Sequence, residues 1–146
     1  RKAFRLDYPS DRRTVYLITQ RLQRHPYLGL FDGPDTNAST DVRTRSTVPL
    51  QALYLMNNPF VAGCASGLAG RLIAATADPS ERVRLATAMA WNRPASDGEV
   101  GQFLRYVEDY GRELARAGAP SDRVEAEAWA SLARVVLTAN EFLYLD

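Results

Sequence analysis

Apolar positions recur at helical spacing through the last two thirds of the chain. Val61, Cys64, Leu68 and Leu72 fall three or four residues apart, with Phe60 and Ile73 beside them. That is the period of one helix face. Val83, Ala86, Met89 and Ala90 repeat the pattern, followed by Phe103, Val107, Tyr110 and Leu114, and then Trp129, Leu132, Val135 and Val136. Start and stop signals bracket these stripes. Asn58 precedes Pro59, Asp78-Pro79-Ser80-Glu81 has capping-box spacing with Asp in place of Ser or Thr, and Ser96-Asp97-Gly98-Glu99 is a full capping box. Asn92-Arg93-Pro94 and Ala117-Gly118-Ala119-Pro120 read as stops, and the last long helix starts near Ser121 or Asp122. Pro49 suits the first position of a short apolar helix over 50–56, and Phe142, Leu143 and Tyr144 close the chain. Ala65, Gly67 and Gly70 are small, so another backbone can approach that helix closely. The pattern predicts a mainly α protein, with a bundle of four to five helices over residues 48–146.

Residues 1–47 follow no such rule, and an irregular or partly extended N-terminal third is expected. Val15, Tyr16, Leu17 and Ile18 favour a strand, but the apolar set over 14–24 settles on neither period. His25-Pro26 disfavours helix at His25. The apolar run from Leu28 turns at Asp32-Gly33-Pro34-Asp35. A polar loop covers 37–46 and opens with the sequon Asn37-Ala38-Ser39.

Composition narrows the class without naming a chemistry. A length of 146 residues suits a single domain, and 46% hydrophobic with 24% charged residues suits a globular one. No apolar run approaches the roughly 20 residues of a membrane span. The chain opens on Arg1-Lys2-Ala3 without an initiator Met, which reads as a C-terminal fragment of a larger protein. One Cys permits no internal disulfide, and one Cys with one His permits no zinc or haem-attachment motif. Net charge is +1, which provides no bulk drive toward nucleic acid. The sign is uneven: residues 1–30 hold seven Arg/Lys and two Asp, residues 96–146 five Arg and ten Asp/Glu. Either the two ends offset each other, or the first forms a basic face for an anionic partner.

Candidate chemistry gathers in one stretch. Asp32 and Asp35 stand three apart across a Gly-Pro turn; such carboxylates shape a turn, hold a hard cation or share acid/base work. Asp41 is the only other acid close by, too few for a calcium loop, so no metal is assigned. Arg12, Arg13, Arg43 and Arg45 can hold an anion bidentately or clamp Asp32 and Asp35 in internal ion pairs. A long loop with few apolar residues after Phe31 cannot hold itself by burial, which favours the internal pairs. Gln51 and Asn57 have amides suited to loop backbone. Cys64, on an apolar stripe with no charge one turn away, is expected to be a buried, inert thiol. His25 has no second His or nearby acid to make it a general base.

Arg12-Arg13-Thr14-Val15-Tyr16-Leu17, Phe31-Asp32-Gly33-Pro34-Asp35, residues 46–57 with Thr-Val-Pro-Leu-Gln-Ala-Leu, Ala90-Trp91-Asn92-Arg93-Pro94 and Asn140-Glu141-Phe142-Leu143-Tyr144 follow one another in order. On these, nearly the whole chain resembles the planctomycete-specific C-terminal domain of unknown function found downstream of planctomycete cytochrome-c-like domains. Members of that family often read Phe-Asp-Phe-Pro-Asp where this chain has Gly33, and either Arg43 or Arg45 can match the family arginine. The resemblance implies an exported, extracytoplasmic, multidomain parent whose other segments carry any haem; it implies no cofactor in this chain and no activity. The expectation is therefore a non-catalytic interaction or structural module whose partners are upstream domains of the same protein, another protein or a polysaccharide. The alternative is a hydrolase acting on a polysaccharide or its esters through Asp32 and Asp35, which requires an open cleft and carboxyl groups roughly 5–9.5 Å apart.

Overall fold

The computed structural model describes residues 13–17, 25–33, 37 and 49–144. Among these the chain is all α, with seven helices and no strand. It divides into two compact units, Arg1–Gln51 and Ala52–Asp146.

In the first unit a single 3-10 turn covers Thr14–Tyr16, where strand-forming residues left the sequence undecided; residues 18–24 lie outside the described ones. Val15 and Tyr16 are exposed on it. Helix α1, Pro26–Leu30, starts on proline and stops through its own backbone. Asp32 takes a left-handed φ of 52°, and the Gly33 N–H donates to Leu28 O at 2.6 Å, the long bond of a Schellman stop. A Cβ at position 33 would sit 2.8 Å from both Leu28 Cβ and Leu28 O. Close approach to Leu28 therefore favours glycine here. Helix α2, Pro49–Asn57, begins in this unit; buried Gln51 donates from Nε2 to Leu30 O at 2.9 Å, satisfying a carbonyl that the end of α1 leaves open.

The second unit is a bundle in which α6, Ser121–Thr138, packs against α3, Pro59–Ala75, α4, Pro79–Trp91, α5, Asp97–Arg116, and the short α7, Asn140–Leu143. Its core joins Ala65, Leu68, Ala69 and Leu72 of α3 to Val83 and Ala86 of α4 and to Trp129, Leu132, Ala133 and Val136 of α6. The helices start where the local chemistry says. Asn58 Oδ1 accepts from the Phe60 N–H at 2.8 Å, and Asp78 Oδ1 accepts from the Ser80 N–H at 2.9 Å. Ser96 and Glu99 form the reciprocal capping box: the Ser96 N–H donates to Glu99 Oε2 at 2.7 Å, and the Glu99 N–H to Ser96 Oγ at 3.4 Å. Asn92 ends α4 in the left-handed region at φ 57°, a conformation asparagine tolerates.

Three stripe positions depart from expectation. Cys64 is exposed, Met89 is 40% exposed and Val135 is 41% exposed. Each sits at the margin of its apolar face, and the packed face turns slightly away: α3 buries Ala65 and Ala69, and α6 buries Ala128 and Ala133. Gly67 and Gly70 are not where α3 meets a neighbour, since a Cβ at either would have nothing within 4 Å.

Candidate functional site

Of the residues singled out from sequence, Arg13, Asp32, Gln51 and Asn57 fall among the described residues. Arg13 is exposed ahead of the 3-10 turn, and Asp32 takes the left-handed position that stops α1. Arg12, Asp35, Arg43 and Arg45 lie outside the described residues, and with them the ion pairs expected with Asp35. Gln51 binds backbone as above, and exposed Asn57 donates from Nδ2 to Leu53 O, 2.8 Å away in its own helix.

The second unit holds two arrangements that sequence did not anticipate. The first centres on Arg93, just past the end of α4. Its guanidinium meets two carboxylates bidentately: Nη1 and Nη2 reach Glu99 at 3.0 and 2.8 Å, while Nε and Nη2 reach Glu141 at 2.6 and 2.9 Å. Its Cζ lies 5.3 Å from the Trp91 ring centroid, a cation–π distance. Trp91 in turn donates from Nε1 to Val136 O at 3.1 Å. The Arg93 hydrogen bonds come first in holding the Glu99 carboxyl down to about 2, followed by those from the Ser96 N–H and hydroxyl. Glu99, then Glu141, raise Arg93 above the ordinary arginine value. Its fork is thus committed to carboxylates of its own chain, so the cluster joins α4, α5 and α7 rather than offering a free anion hook. The capping box announced Glu99; Glu141 lies 48 positions from Arg93, and no local rule links them.

Buried Arg82 is likewise committed. It donates from Nε to Thr76 O at 2.7 Å and from Nη1 to Glu125 at 2.6 Å, and it lies 5.3 Å from the Trp129 ring centroid. Arg84 bridges Glu81 and Asp97.

The second arrangement is an open groove of about 410 Å³. Gly67, Leu68 and Arg71 of α3 form one side, and Met89 of α4, Leu137 of α6 and Phe142 of α7 line the rest, with Cys64 on the α3 side. Among the described residues its lining is apolar except for Arg71. No group of three or more His, Cys, Asp or Glu residues that could hold a metal ion occurs among the described residues, and no helix there is long and apolar enough to cross a membrane.

A family model described as a protein of unknown function, DUF1553 (PSD1), matches residues 4–107. No curated protein and no solved structure matches the chain.

Proposed function

The chain belongs to the DUF1553 (PSD1) family of unknown function, and from that premise we propose that it is a non-catalytic interaction or structural module of an exported, multidomain, cytochrome-associated planctomycete protein. Its partners in this reading are the upstream domains of the same parent, with any haem held by those segments. One observation supports it above the others: α3 has a single charge, Arg71, in 17 residues, yet among the described residues only one of its faces is packed. A helix apolar all round is normally buried all round. An uncovered apolar side therefore fits a module that meets another surface. The sequence motifs quoted for the resemblance support the cytochrome-associated and extracytoplasmic context. The hydrolase alternative turns on Asp32 together with Asp35, and Asp35 lies outside the described residues.

The test is binding between this chain and the separately produced upstream domains, measured by calorimetry. Association with a Kd below about 50 µM is expected. Its absence at that concentration, both as separate pieces and in a fused parent probed by cross-linking, would sink the reading.

A further inference from the structure

The groove and the uncovered side of α3 belong together, and we infer that they form a docking site for an amphipathic helix carrying a carboxylate. The inference rests on the interaction-module reading and names the partner's chemistry. Cys64, Gly67, Leu68 and Arg71 follow one another along two turns of α3, a rise of about 10 Å. An incoming helix spaces its apolar anchors at i, i+3 or i+4, and i+7 over the same length. Gly67 and Gly70 leave open space where a Cβ would stand, so a second backbone can come close to α3. No described residue of the second unit uses that closeness; the packed face of α3 is Ala65, Leu68, Ala69 and Leu72. Met89 and Phe142, 40% and 41% exposed, stand across from it. A methionine's unbranched chain adapts to different apolar partners.

Charge selects among occupants. Among the described residues Arg71 is the only charged side chain lining the groove, and no carboxylate there pairs with it. Residues 59–75 contain no Asp or Glu, so α3 cannot supply one. Arg82, Arg84, Arg93, Arg112 and Arg116 have carboxylate partners, whereas Arg105, Arg123 and Arg134, like Arg71, form no salt bridge among the described residues but do not line the groove. An occupant bringing apolar anchors and a Glu or Asp at the Arg71 end complements both features. The apolar stripe Leu53, Met56 and Phe60 of a second copy has the anchors but no acid, since residues 49–60 contain none.

The probe is a fluorescein-labelled helical 15-residue peptide with leucines at i, i+3 and i+7 and glutamates beside them, set against a version with Lys for every Glu. Both are titrated by anisotropy with the 146-residue chain at low salt. The acidic peptide should bind with a Kd of about 10–100 µM and the basic one at least about tenfold more weakly. Arg71→Glu should reverse that preference. Gly67→Trp should weaken acidic-peptide binding at least about tenfold, with the helical circular dichroism unchanged because the position faces open space. Equal binding of the two peptides, no saturation by about 0.5 mM, or binding indifferent to both substitutions would overturn the assignment. So would a reversible dimer in sedimentation velocity that Gly67→Trp dissolves while neither peptide binds, because the occupant would then be a second copy. The two readings fail separately. Upstream domains that still bind the Gly67→Trp chain would leave the interaction module standing and remove the groove from it. Peptide binding without upstream-domain binding would do the reverse.

Discussion

Trp129→Ala would remove the largest side chain of the α6 core face. Trp129 is 3% exposed, packs in the cluster with Leu72 and Val83, and carries Arg82 above its ring. The expected cost is about 3–5 kcal/mol, read from urea denaturation of the whole chain. A loss below about 1 kcal/mol would mean that Trp129 is not part of a packed core. Trp129, Leu132 and Val136 were visible as core from spacing alone, because only one side of an amphipathic helix can be buried. Cys64, Met89 and Val135 had the same spacing and are exposed. Periodicity places a residue on a face to within about one position, and the packed arc is narrower than the apolar arc. Gly33 shows the reverse case. Its need for glycine comes from Leu28, five residues earlier, and appears only once the chain has turned back on itself.

Where helices begin and end, the local chemistry decides. Asn58, Asp78 and Ser96 cap as their side chains dictate, each satisfying a backbone N–H that the first turn leaves open. The Ser96–Glu99 box also has a consequence for acid stability. Glu99 is held at about 2 when folded, against an ordinary value of 4.5. A depressed carboxyl contributes stability that is fully present above about pH 4.5 and is lost as pH falls through about 2. Denaturation midpoints between pH 2 and 6 should therefore fall steeply at the acid end. Glu99→Gln should flatten that slope while shifting the neutral-pH midpoint downward. An unchanged slope in the variant would mean that Glu99 is not the group responsible. Arg93 stays charged throughout, so the titration belongs to the carboxyl side of the cluster.

At the scale of the molecule, the second unit draws its core entirely from residues 65–136. A fragment of residues 52–146 should therefore fold alone, with helical circular dichroism and one cooperative thermal transition. A broad, non-cooperative melt would show that this core is insufficient by itself. Helix class, the number of long helices, their caps and their stops were legible without coordinates, since all of them depend on residues within a turn or two of one another. Tertiary structure alone decided which helices meet and what remains uncovered. Arg93 and Glu141 are 48 positions apart and meet only because α4 ends beside α7. The candidate site was hidden for a related reason. An amphipathic helix declares its buried side through its pattern, but α3 is apolar on nearly every side and declares none. Packing on α6 chose Ala65, Leu68, Ala69 and Leu72 for the interior and left Cys64, Gly67 and Arg71 facing out. Alternation of apolar and polar residues specifies elements because burial is a local preference; where every face is apolar, only the competition among neighbouring helices for contact can choose.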